Sequence, residues 1–329
     1  MLRHLERVLL PSMARLSEDI LKLVHQRDTL NNRRRTVRWM QRRGILKRSM
    51  RCCICTRRMR LRESARSDGL TWVCGTNHKA KKTSVRYGSV MYKSRKSLAR
   101  WLMFIYRFSQ GLQLRQLDML EDGIAGSSRT LTKMAHTVRK QVCMKAVSRL
   151  KSKGMKVGGR HHFVVLDESK FSHKRKYNRG RFGNSWRRKR QWVFGMLEVG
   201  ITTRRPILKL VKTRSRRVLL RVIRHHVKRG SYIMSDEWRA YRGQLSQYGY
   251  QHFSVCHKDN FVDARTGSHT QHIERAWQTY KVDIWRHRGN RTSRLLKYHL
   301  RLIEWRYWLG NKHPEGLLGR LIHDLKKFQ

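Results

Sequence analysis

Acidic residues are scarce in this chain. Only 21 Asp and Glu stand against 77 Lys and Arg in 329 residues, a formal net charge of +56. So much self-repulsion is tolerable when a polyanion neutralises it for part of the protein's life. Nucleic acid, through phosphate contacts and counterion release, is the partner such a composition points to. Long apolar runs are missing too. None approaches the roughly 20 residues that a membrane-spanning helix needs, which argues against a protein built to cross a bilayer. A convincing export signal is also lacking, because the opening MLRHLERVLLPSMARLSEDI is too polar and too acidic for one. The six cysteines are therefore expected to be reduced, and their spacing suggests metal before disulfide. What remains is enough to fold: 39% of the residues are hydrophobic, and the length allows two or three domains with at least one sizeable core. The basic runs NNRRR and RRKR suit phosphate contacts, and in a eukaryote they would serve equally as nuclear localisation signals.

Taken in order, residues 1–48 read as a helical segment. Ser17 is a candidate cap for a helix carrying Ile20, Leu21, Leu23 and Val24, and a second helix, TVRWMQRRGIL, should stop at Gly44. Residues 49–94 read as a small zinc-ribbon-like subdomain. Cys52 and Cys55 have the Cys-x-x-Cys spacing of a zinc knuckle, Cys74 follows the short strand LTWV, and His78 is the best fourth ligand. Ser67-Asp68-Gly69 supplies the hairpin turn between the halves, while Cys53 could replace either neighbour as a ligand. Such a small, highly charged segment has little besides a metal to hold it.

Residues 95–152 read as helical, with a core helix in SLARWLMFIYRFSQG and then the layout of a helix-turn-helix. Its second helix would present Arg129, Lys133, His136, Arg139 and Lys140. A plain helical hairpin gives the same pattern. Glycine-rich KSKGMKVGGR, at 151–160, reads as the linker to a domain at 160–310, and 311–329 as a C-terminal tail.

From 161 onward strands alternate with helices. Phe163 to Leu166 form an apolar strand ending in Asp167, and the basic segment 174–190 reads as a long loop. QWVFGMLEVG and PILKLV are the next strands, SRRVLLRVIRHHVKRG is an amphipathic helix, and YIMSDEW is a strand ending in Asp236. WRAYRGQLSQYG reads as helical and QHFSVCH as a fifth strand. A last helix starts near Ser268 and Gln271, at capping-box spacing, and turns Ile273, Trp277, Tyr280 and Ile284 inward. Three strands, then helix, strand, helix, strand and helix, is the element order of a ribonuclease H-like fold: α/β, with a mixed five-stranded sheet. Asp167, Asp236 and Glu274 then occupy the places at which that fold carries metal-binding carboxylates. Magnesium takes oxygen ligands and few carboxylates, and in-line attack on a phosphodiester uses metal ions to activate the nucleophile and stabilise the leaving oxygen. Glu168 and Glu237 are the rival acids, and ion pairing with Lys or Arg is the structural alternative for all three.

VLDESKF, KYNRGR, QWVFGMLE, GSYIMSDEWRAY, FVDARTGSHTQHIERAWQTYK and IEWRYW resemble, in order and approximate spacing, the transposases of Merlin-type DNA transposons and related bacterial insertion-sequence transposases. The likeness spans roughly residues 35–310, with TSVRYGSVMYKS similar to the family's N-terminal half. It implies a DDE transposase that binds terminal inverted repeats and cuts and joins DNA with Mg2+ or Mn2+ held by Asp167, Asp236 and Glu274. The expected partners are element-end and target DNA and a second copy of the chain, because two ends must be joined. The expected compartment is the nucleus in a eukaryote, or the cytoplasm and nucleoid in a bacterium. Gln271 stands where many relatives have Asn, and Cys74 lacks the second cysteine that often completes the Zn2+ site. Lys174, Arg175, Lys176, Arg179, Arg181, Arg187, Arg188 and Lys189 would hold DNA backbone together with Arg129 and Lys133. Trp186 and Trp192 are read as packing before base stacking, and His257 and His269 as phosphate contacts before proton carriers. A non-catalytic nucleic-acid-binding protein on the same fold is the rival reading, which charge alone supports equally.

Overall fold

The computed structural model describes residues 2–75, 81–111, 122–160, 162–171, 191–201, 203–236, 243–255, 271–286 and 292–327. At 2–11, 236, 255, 271 and 286 the backbone alone is described. The chain divides into two compact units, Met1–Ala146 with Leu309–Gln329, and Val147–Trp308. Among the described residues no helix is long and apolar enough to cross a membrane.

The first unit is mostly helical. α1 (Leu2–Val24) and α2 (Leu30–Arg42) precede three short strands, β1 (Arg60–Glu63), β2 (Leu70–Val73) and β3 (Lys82–Ser84), which form an antiparallel sheet in that order. Then follow α3 (Leu98–Ser109), α4 (Ser128–Thr137), a π-helical turn over Val138–Cys143, and α5 (Met144–Ser152), which crosses the division. Leu16 and Ile20 of α1, Val37 and Met40 of α2, and Leu102 and Ile105 of α3 are buried. Ser17 does not cap α1. It lies inside the helix, where its hydroxyl donates to the Met13 carbonyl at 3.0 Å. The stretch read as a C-terminal tail carries a helix, Gly316–Lys326, with Leu318, Leu321, Ile322 and Leu325 buried. A four-residue recurrence of leucine and isoleucine on one side is what a packed helix requires.

One ion pair organises the small sheet. Asp68, in the turn between β1 and β2, accepts from Arg86 Nε at 2.7 Å and from Nη2 of the same guanidinium. Arg86 Nη1 donates to the carbonyls of Ser94 and Lys96 at 2.9 and 2.7 Å. Arg86 is 3% exposed and Asp68 7%, so removing either partner would strand a charge in the interior. Gly69, at φ +73°, makes the turn that presents Asp68.

The second unit is built on β4 (Phe163–Phe171). β5 (Gln191–Val199) runs antiparallel beside it and β6 (Arg204–Val211) antiparallel beside β5, while β7 (Tyr232–Asp236) and β8 (Gln251–Val255) continue the sheet in parallel on the other side. The order β6-β5-β4-β7-β8, mixed and flanked by helices, is consistent with a ribonuclease H-like fold. α6 (Arg216–His226) joins β6 to β7, and α7 (Gln271–Arg286) and α8 (Ser293–Trp305) follow β8. Of the segment 238–249, read as helical, residues up to 242 lie outside the described set, and a short 3-10 turn occupies Ser246–Tyr248.

One face of the sheet carries the core. Val165, Phe171, Val193, Leu197, Leu208 and Met234 pack with Ile273, Trp277, Tyr280 and Ile284 of α7 and Leu296, Leu300 and Ile303 of α8. Period-two alternation sends Val164 and Leu166, also fully buried, to the opposite face. The strand was therefore correctly read as covered on both sides, although Asp167 is not its last residue. β4 runs on to Phe171, and only its pairing with β7 stops, at Leu166 opposite Ser235.

β6 is an edge strand, and unpaired edge groups are a liability. Glu304 of α8 accepts from the Leu208 N–H at 3.0 Å, and the Trp308 indole donates to the Pro206 carbonyl at 2.7 Å. Glu304 also pairs with Lys151 at 2.9 Å and with Arg301, while burial pushes its carboxyl up to about 7. The glycine-rich segment read as a linker is packed against this unit. Val157 forms a parallel bridge with Val227, and the Gly158 N–H donates to Glu198 Oε2 at 2.9 Å. A Cβ at Gly158 would come within 2.2 Å of Ser231 Oγ, and its φ is +91°. The glycine there serves close approach, not flexibility.

His226 closes α6 beside this segment. Burial holds its imidazole down at about 4, and Lys209 and His225 add to the effect. A histidine whose folded value lies below its unfolded one stabilises fully above about pH 6.5 and loses that contribution as pH falls towards 4. His226→Gln should therefore shrink the fall in unfolding free energy between pH 7 and pH 4.5 by about 1–2 kcal/mol, measured by denaturant titration at the two values.

Candidate active site

The parallel pairing of β4 with β7 decides where two of the three acids sit. Leu166 is opposite Ser235, so Asp167 and Asp236 are the next residues on neighbouring strands that run the same way. For Asp236 only the backbone is described, in register with Val255 of β8. Glu274 lies in the first turn of α7, where the helix dipole favours a negative charge. It is exposed, and among the described residues it has no ion-pair partner.

Asp167 is half-buried. Its Oδ1 accepts from the Glu168 backbone N–H and its Oδ2 from the Trp277 indole Nε1, both at 2.7 Å. Both donors are neutral, and each carboxylate oxygen keeps further acceptor capacity. Asp68, Glu198, Asp324 and Glu304 are buried, and each pairs with an arginine. α7 thus brings two groups to the sheet: Trp277, 4% exposed and bonded to Asp167, and Glu274 one turn earlier. A hydrogen bond to a charged acceptor contributes about 1.5–3 kcal/mol, enough to tie the helix to the strand at this point.

The indole bond to Asp167 was not anticipated from the sequence. Trp277 read only as an inward-facing residue at helical spacing, and nothing in that spacing says where an indole N–H finds an acceptor. The capping position Ser268, the rivals' Glu237, and His257 and His269 lie outside the described residues, as do Trp186 and the basic residues Lys174, Arg175, Lys176, Arg179, Arg181, Arg187, Arg188 and Lys189. Trp192 is in β5, half-buried, with the Arg214 guanidinium 4.0 Å above its ring. In the first unit, Arg129 and Lys133 are exposed on α4, with His136 and Lys140 also exposed. Arg139 is the correction here. It is 6% exposed, and burial lowers its guanidinium to about 10. At α-helical spacing Arg139 already lies roughly 80° round the helix from Arg129, and it is buried with Val138 and Val142.

Separately, Cys52, Cys55 and Cys74 present sulfurs that all lie within 4.8 Å of one another. Cys55 and Cys74 Sγ are 3.5 Å apart, and the Ile54 N–H donates to Cys52 Sγ at 3.4 Å. β2, flanked by β1 and β3, carries Cys74 back to the knuckle formed by 52–55. Cys53 is exposed and outside the cluster, so it replaces neither neighbour. His78 lies outside the described residues. Three converging thiols are a donor set fit for a soft divalent metal.

Residues 153–307 match the family model described as ISXO2-like transposase domain. Over that part, just under half of its length, the chain is similar to DDE-transposase domains of the IS1595-like family. Asp167, Asp236 and Glu274 all fall within the matched DDE domain. No curated protein matches the chain. A cryo-EM structure of the simian T-cell lymphotropic virus intasome in complex with PP2A regulatory subunit B56 gamma aligns at TM-score 0.29 and 14% identity. The alignment covers 48% of this chain and 53% of that one, so the chain spans about half the length of that protein; a score this low supports no argument about fold.

The cysteine cluster should hold about one metal ion per chain, measurable by elemental analysis of the purified protein. Cys55→Ser and Cys74→Ser should each lose most of it and lower the melting temperature, and chelation of the wild type should do the same. A wild-type protein that is folded and metal-free would remove the site.

Proposed function

We propose that the chain is a DDE transposase of the Merlin type, which binds the terminal inverted repeats of a DNA transposon and catalyses strand cleavage and strand transfer. One observation carries the reading. Within the matched DDE domain, Asp167 and Asp236 follow the last paired residues of adjacent parallel strands, and α7, which bears Glu274, is bonded to Asp167 through Trp277. Asp167 and Asp236 would hold the divalent ions jointly, with Glu274 completing the oxygen donor set. Magnesium or manganese there supplies activation of the attacking hydroxyl and stabilisation of the leaving oxygen. The chain's own residues bind and orient: Asp167 is held in place by two N–H donors, and Glu274 extends from a helix anchored to the same sheet.

The net charge of +56 supplies the attraction for DNA, through the basic 174–190 segment and, in the first unit, Arg129 and Lys133 on α4. The three-cysteine cluster belongs in this reading to a zinc ribbon, completed by His78, that contributes to recognition of element ends. Joining two ends calls for a homodimer or larger assembly. The non-catalytic alternative draws on the same charge but leaves three acids in this arrangement without a role.

The test is nicking of an element-end duplex with Mg2+ or Mn2+. Asp167→Asn and Glu274→Gln should each lower cleavage by roughly a hundredfold or more while leaving DNA affinity within a few-fold of wild type. Cutting at the wild-type rate by both variants would overturn the triad, and wild-type binding with no cutting under either metal would favour the binding-only alternative.

A further inference from the structure

Trp277 packs in the core of the second unit and also reaches Asp167, through a gap that Gly195 leaves open. Asp167 of β4 is paired across the sheet with Gly195 of β5. The Trp277 side chain descends from α7 over that glycine. A Cβ at residue 195 would stand 2.5 and 2.6 Å from Cζ2 and Cη2 of the indole, closer than side-chain carbons are ever found, and the far atom is a rigid ring. Only glycine leaves the passage open. Having crossed, the indole delivers Nε1 to Asp167 Oδ2 at 2.7 Å. Phe171 and Tyr280 meet the same ring edge to face, at centroid distances of 5.7 and 6.0 Å, and Ile273 lies 3.5 Å from the same Gly195 position. The indole is thus fixed on several sides.

We propose that Trp277, admitted by Gly195, is a positioning residue for Asp167: it sets the rotation of the carboxylate and through it the affinity for the divalent ion. An aspartate's terminal torsion is broad and roughly two-fold, so an unrestrained carboxylate would sample many orientations. Here Oδ1 is held by the Glu168 N–H and Oδ2 by Trp277, and two donors on opposite oxygens define the carboxylate plane. The carboxylate then has a settled orientation before a metal arrives. Because Glu274 precedes Trp277 by three residues on α7, the same bond also registers the third acid against the first. The inference rests on the reading of Asp167 as a metal ligand, and its test separates the two.

The probe is Mn2+ alone, titrated into the full chain and followed by electron paramagnetic resonance, with nicking measured in parallel across metal concentrations. Trp277→Phe and Gly195→Ala should each weaken Mn2+ binding about 10–100-fold. Both should raise the metal concentration for half-maximal nicking by a similar factor, with DNA affinity unchanged. Benzothienylalanine in place of Trp277 preserves the ring's size and shape while replacing the N–H with sulfur. It should keep the melting temperature and still lose Mn2+ affinity, which a purely packing role would not produce. If that variant binds Mn2+ as wild type does while Asp167→Asn loses binding, the positioning role is wrong and the ligand reading stands. If Asp167→Asn itself retains wild-type Mn2+ binding and cleavage, the ligand reading fails and takes this inference with it.

Discussion

The second unit depends on β4 being hydrogen-bonded along both edges. On one side β5 accompanies it for all nine residues, Phe163 to Phe171. On the other, β7 pairs in parallel from Phe163 to Leu166. A parallel neighbour cannot be reached by a tight hairpin, so the chain must travel out through β5, β6 and α6 before returning as β7. That detour brings Asp236, distant in sequence, to the strand position beside Asp167. The central strand is buried on two faces, and its register cannot slip by one residue without turning Val165 and Asp167 to the opposite side. The candidate site inherits that rigidity.

Acids are so few in this chain that their placement divides by partner. Asp68, Glu198, Asp324 and Glu304 each pair with an arginine inside the protein. These pairs fix a turn, the Gly158 approach, the C-terminal helix and the sheet edge. Glu304 shows the logic best: one oxygen accepts from a buried backbone N–H of the edge strand and the other pairs with cations, so the late IEWRYW motif protects an edge. Asp167 is served by an indole and a backbone amide. Both of these donors come from the second unit and hold the carboxylate against β4 and α7.

Much of the fold was legible in composition and periodicity. Runs such as VVLDESKF and WVFGMLEV alternate or stay apolar as buried strands do, and the cysteine spacing matched a cluster that the hairpin closes. The misreadings share a cause. Ser17 looks like a cap but lies in a longer helix. Arg139 looks exposed by its charge, yet it is buried beside Val138 and Val142. The glycines at 158 and 159 look like a hinge until Ser231 and Glu198 are set against them. Local pattern reports what a segment favours, whereas each of these was settled by a neighbour distant in the chain.

The opening strand shows where that boundary runs. Sequence by itself determined that a strand runs through Phe163 to Leu166, covered on both faces from Val164 onward, and that an acid follows it, because hydrophobic periodicity and the cost of burying charge are local properties. The sheer excess of positive charge also points to a polyanionic partner. Only the tertiary structure decided what touches Asp167. The indole comes from 110 residues away, and it arrives only because the residue paired with Asp167 on β5 is a glycine. Contacts of that range depend on strand register and helix docking together, and no window of sequence contains both.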